Sequence, residues 1–149
     1  MKTIRDLITG LKDQNDVGIR IIKGYNDHRF ISYQQLYSRA SLYLIRLKML
    51  GIRAGQEFMI SADDLERFLY LFWACILGGI IPVPVSLESG SIDKIINILK
   101  YCVDPYAFCS KRWALPAIAE RISPERVLSD DSFDDLEAED DNTQYLFPE

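Results

Sequence analysis

The apolar positions of this chain change period several times, and each change marks an element. Ile4, Leu7, Ile8 and Leu11 recur at helical spacing behind Thr3, which offers a cap, so a short peripheral helix is expected over residues 3–15. Gly18 to Ile22 and Arg29 to Ser32 are β-prone and flank Gly24-Tyr25-Asn26-Asp27, whose Gly, Asn and Asp favour a turn; together they predict a β-hairpin. Ser32 and Gln35 have the spacing of a capping box, in which the serine oxygen takes the amide three residues on and the glutamine reaches back. A helix is therefore expected from Tyr33. Its face of Leu36, Ala40, Leu44 and Leu47, widened by Leu42, Ile45 and Met49, runs to Gly51, where a left-handed stop belongs.

Beyond Gly51 strands and helices alternate. Glu57 to Ser61 reads as a strand, and Asp63 with Glu66 repeats the capping logic to open a helix to about Leu77. That helix is apolar nearly all round, through Leu65, Phe68, Leu69, Leu71, Phe72, Trp73, Cys75 and Ile76, so burial on more than one side is expected. Ile80 to Ser86 reads as extended, although Pro82 and Pro84 prevent a full ladder on both edges. Ser91 opens a helix through Ile92, Ile95, Ile96, Leu99 and Val103; Tyr106 to Ser110 is a strand, Arg112 to Ile122 a helix and Arg126 to Ser129 a last strand. Such alternation predicts an α/β fold, with a mostly parallel sheet flanked by helices through right-handed crossovers and a small N-terminal β-hairpin.

From Phe68 to Leu87 twenty residues pass without a charge, long enough to raise a transmembrane reading. Gly78-Gly79 and Pro82-Val83-Pro84 interrupt any single helix there, so a buried helix, a glycine stop and a buried extended segment are expected instead of a membrane span.

A length of 149 residues with 48% hydrophobic and 26% charged positions permits a sizeable core without metal or disulfide staples. The net charge of -5 is unevenly placed: eight acids and no base lie between Asp130 and Asp141, so residues 1–129 carry +4 and residues 130–149 carry -9. The stretch from Asp130 to Asp141 reads as a solvated linker, and Asn142 to Glu149 as the start of a further strand. The bases are spread singly, with no Lys/Arg run, which argues against a nucleic-acid partner. Cys75, Cys102 and Cys109 form an odd set without a C-x-x-C pair and read as buried, reduced thiols of a cytoplasmic protein. The first residues lack the apolar stretch of a secretion signal.

Catalytic chemistry is not evident. The single histidine, His28, lies by the hairpin turn without a nucleophile motif, and Gly78-Gly79 follows a helix, a poor place for a phosphate cradle. Asp63-Asp64 serve capping more simply than acid–base work. No catalytic, cofactor-binding or metal-binding residue is assigned.

Three segments nevertheless carry a resemblance. Phe30-Ile31-Ser32-Tyr33-Gln34-Gln35-Leu36, then Leu50-Gly51-Ile52 with Gly55-Gln56-Glu57-Phe58, then Phe68-Leu69-Tyr70-Leu71-Phe72-Trp73-Ala74-Cys75 through Gly78-Gly79 to Pro82-Val83-Pro84-Val85-Ser86, occur in this order. They resemble the opening of the adenylate-forming (AMP-binding) enzymes, and the last looks most like the fatty-acyl-AMP ligase modules that load lipopeptide and polyketide synthetases. The resemblance implies that residues 1–129 are a partial subdomain of such an enzyme's N-terminal domain. Residues 130–149 would then be an acidic linker and the start of the strand leading to a phosphate loop that lies beyond them. It implies a parent enzyme that uses ATP and Mg to activate a fatty acid for an acyl carrier protein. Acyl-CoA synthetases and amino-acid adenylation domains remain alternatives, as does a short non-catalytic docking module. The family's phosphate loop and catalytic lysine have no counterpart in these residues, so the chain alone is expected to be inactive. Apolar surface left for the rest of the domain would favour self-association.

Overall fold

The computed structural model describes residues 2–86 and 92–138. Residues proposed above as openers or strands at Ser91 and from Asn142 onward lie outside them. Thr3 caps α1 (Ile4–Gly10) with a reciprocal bond pair to Asp6. This helix is shorter than the expected 3–15 because the chain turns at Leu11. Only Ile8 of its apolar face is buried; Ile4 and Leu7 remain exposed. The hairpin pairs β1 (Gly18–Gly24) antiparallel with β2 (Asp27–Ser32), longer on both arms than expected. Its period of two sends Ile21 and Ile31 into the core.

Ser32 accepts the Gln35 amide at 3.0 Å and starts α2 (Tyr33–Met49). Gly51 follows with φ +104°, and the Ile52 amide reaches back to the Leu47 carbonyl at 3.1 Å, closing the helix end as the sequence indicated. β3 (Glu57–Ser61), β4 (Ile81–Pro84), β5 (Tyr106–Cys109) and β6 (Val127–Leu128) form one parallel sheet in the order β4-β3-β5-β6. β4 lies at the edge, where its prolines need satisfy only one neighbour.

α3 (Leu65–Gly78) links β3 to β4, α4 (Asp93–Tyr101) links β4 to β5, and a 3₁₀ turn (Arg112–Ala114) with α5 (Leu115–Ile122) links β5 to β6. Strand side chains divide by parity. Phe58, Ile60, Phe108 and Leu128 join the core under α2 and α3, while Met59, Ala107 and Cys109 join a second core under α4 and α5. Both faces are covered, which explains why β5 is buried at every position.

Three expectations need correction. Asp64, not Asp63, caps α3, accepting the Arg67 amide at 3.3 Å, because Arg67 stands three residues beyond it at the N3 position. α4 ends at Tyr101, leaving Val103 92% exposed. Cys75 and Cys109 are buried and free as expected, but Cys102 at the end of α4 is only half-buried.

The largest departure concerns residues 130–138, which are not a solvated linker. A 3₁₀ turn (Asp130–Ser132) and α6 (Asp134–Ala138) strap this segment across α2 and α3. Phe133 is fully buried and Leu136 nearly so. Phe133 stacks on Tyr43 at 5.1 Å between ring centroids and tilts against Phe108 at 5.8 Å. Around this plug, Arg67 donates to Asp130 at 2.6 Å and Asp134 at 3.3 Å, and Arg46 to Asp135 at 2.8 Å and the Ser132 carbonyl at 2.6 Å. Arg39, itself buried, donates to the Leu136 carbonyl at 2.8 Å. The bases that neutralise the acidic run are remote in sequence, so a local charge pattern could not reveal them.

Candidate functional site at the carboxyl ends of the strands

Parallel sheets bind ligands where the helices that follow two neighbouring strands leave on opposite faces. β3 has such a neighbour on each side: the chain leaves β3 for α3 on one face and leaves β5 for α5, and β4 for α4, on the other. The carboxyl ends of β3 and β5 bring together Ser61, Asp63, Ser110 and Lys111. The Ser110 amide donates to the Ser61 carbonyl at 3.0 Å, and the Asp63 amide to Ser110 Oγ at 3.1 Å. Lys111 Nζ stands 3.1 Å from the Asp63 carboxylate, both side chains well exposed. Beside this crevice a cleft of about 450 Å³ opens between β3 and β4, lined among others by Ala62, Phe68, Pro84, Val85 and Ser86.

These bonds and the ion pair tie the ends of β3 and β5 together at the rim of the crevice. Burial pushes the Cys109 thiol above its usual range, so it stays protonated beneath the crevice floor. The amides of the first turn of α3, the natural seat for an anion, face the side chain of their own cap Asp64, and Asp63 adds a second negative charge. The residues present therefore do not fit a triphosphate. No cluster of three or more His, Cys, Asp or Glu side chains that could hold a metal ion occurs among the described residues.

The residues singled out from sequence lie elsewhere or act structurally. His28, exposed on β2, accepts a bond from Arg20 at 2.9 Å on the outer face of the hairpin. Gly79 adopts φ +69° as the left-handed cap of α3, with the Ile80 amide on the Cys75 carbonyl at 2.9 Å, which bears out the reading of Gly78-Gly79 as a stop. The Cys75 thiol, on the buried face of α3, is pushed up to about 12 by burial and is inert as a nucleophile. Cys102 is pushed up to about 11, by burial first and then by Glu57. Ser61, Ser110 and Lys111 were not singled out in the sequence. Their one signal was position: Ser61 and Ser110 are the first polar residues after the apolar runs of β3 and β5. Among the described residues no helix is long and apolar enough to cross a membrane.

No family model matches the chain. Its fold recurs in solved structures. The McyG A-PCP complexed with phenylalanyl-adenylate matches 86% of this chain at 27% identity and a TM-score of 0.73, over 25% of its own length. Fatty acyl-adenylate ligases from E. coli and L. pneumophila match 91% of this chain at 23% identity and a TM-score of 0.68, over 26% of theirs. VinN with 3-methylaspartate matches 99% at 14% identity and a TM-score of 0.74, over 40% of its length. The last two establish likeness of fold alone. The chain thus has the α/β architecture of adenylate-forming proteins and spans about a quarter of the first of these.

Proposed function

We propose that this chain is the N-terminal portion of an acyl-adenylating ligase, which joins a fatty acid to AMP with ATP and Mg and passes the acyl group to a carrier protein. The observation that carries the reading is the likeness of nearly the whole chain to part of larger adenylation structures, a fatty acyl-adenylate ligase among them. The ordered segments from Phe30 to Ser86 support it from the sequence side. In this reading residues 1–129 are scaffold. The substrates and the nucleotide are held by parts of the longer enzyme, in keeping with a crevice whose charges do not fit a triphosphate. A cytoplasmic enzyme serving lipopeptide or polyketide assembly is the setting that goes with the fatty-acyl choice.

Pyrophosphate exchange by the longer gene product, compared across fatty acids and amino acids, tests the reading. Exchange with fatty acids is the expected outcome; exchange with amino acids alone would replace the fatty-acyl choice by amino-acid activation, the second reading, which the 27% match to the phenylalanyl-adenylate complex favours. The 149-residue chain by itself is expected to show no exchange.

A further inference from the structure

α3 carries no charge on the side turned away from the sheet. Successive residues of a helix are rotated by about 100°, which groups Leu65, Phe68, Leu69, Phe72, Trp73 and Ile76 on one side. Arg67, Tyr70, Leu71, Ala74 and Cys75, the buried residues, fall on the other. Leu65 is 50% exposed, and the other five are only half-buried. Phe68 and Phe72 stack on one another at 5.9 Å, and Trp73 meets Phe72 edge-on at 5.5 Å, so the stripe is continuous. Phe68, Leu69 and Trp73 lean on the core beneath, whereas Phe72 and Ile76 do not join it. A helix of a two-layer protein keeps a polar outer face; one apolar all round belongs between two layers. Among the described residues only one of those layers is present.

We propose that this stripe is covered by the remainder of the longer ligase, so that α3 is an interior helix of the complete domain. The inference rests on the proposed function for the identity of the occupant, and the matched adenylation structures, about four times as long as the stretch aligned, supply the length of chain needed. The covering surface is apolar and uncharged, because the stripe offers no partner to a buried charge. Loading of the stripe with aromatic rings gives the contact a strong hydrophobic anchor.

Two variants, Phe72→Cys and Ile76→Cys, test this by thiol labelling in the 149-residue chain and in the longer protein, with unsubstituted protein of each length measuring the background from Cys75, Cys102 and Cys109. The expected result is rapid labelling in the short chain and labelling slower by about tenfold or more in the longer protein, where the site opens only by local unfolding. Equal labelling in both, or protection already in the short chain, overturns the proposal. Pyrophosphate exchange by the unsubstituted longer protein separates the two ideas. Protection without any adenylation keeps the covered face and discards the ligase reading; adenylation without protection does the reverse.

Discussion

The most acidic stretch of the chain and its most apolar helix exchange the places that composition alone would assign them. Residues 130–136 carry four aspartates yet bury Phe133 and Leu136 against α2 and β5, whereas α3, with no charge between Phe68 and Gly78, leaves a whole face half-open. The difference teaches that a segment's burial depends on what faces it. The acidic segment meets Arg39, Arg46 and Arg67, whose guanidinium groups replace water for its carboxylates and carbonyls; the outer face of α3 meets nothing comparable among the described residues. Burial works against the Arg67 charge, but its bonds to Tyr43 and Asp130 outweigh it and hold the guanidinium protonated.

The comparison is most easily broken at Phe133. Replacing it by Ala should cost about 3–5 kcal/mol in urea unfolding of the 149-residue chain, the range for emptying a fully buried aromatic site. A cost no greater than that of an exposed position would mean the acidic segment is a linker after all. Arg67→Ala comes next, at about 2 kcal/mol: below the range for a fully buried pair because Asp130 and Asp134 still reach water once the guanidinium is gone. Phe72→Ala should cost about 1 kcal/mol in the same chain, since that ring is only half-buried and stays outside the core beneath α3. A cost rivalling Phe133→Ala would show the stripe to be core.

The smallest effect is expected at Asp135. The hydrogen bond from Arg46 holds its carboxyl below the usual carboxylate value. A lowered folded-state pKa contributes stability that is present above the unfolded carboxylate pKa, about 3.9, and is lost as pH falls through the folded value. Asp135→Asn should therefore flatten the acid limb of the stability profile below about pH 4 and leave the profile above it parallel to that of the unsubstituted chain. An unchanged acid limb would leave the Arg46 pair without energetic weight.

Much of the fold could be read from local pattern. Thr3, Ser32, Gly51 and Gly79 act at the turns where short-range chemistry places them, and the alternation of strands and helices after Gly51 yields the parallel sheet. The candidate site was much less legible. Asp63 and Asp64 look alike in sequence, but Asp64 caps α3 while Asp63 bridges to Lys111 across the crevice, and that division exists only once β3 and β5 are neighbours.

The sequence by itself determined most of the elements, the helix boundaries at Ser32, Gly51 and Gly79, the α/β class and the separation of a +4 stretch from a -9 one. These follow from interactions within a few residues, such as capping bonds and apolar period. Only the tertiary structure decided that part of the tail belongs to the body, that Asp63 pairs with Lys111 across the crevice, and that one face of α3 is left uncovered by the described residues. Those outcomes depend on groups far apart in the chain, whose mutual attraction has no signature in the local order of residues.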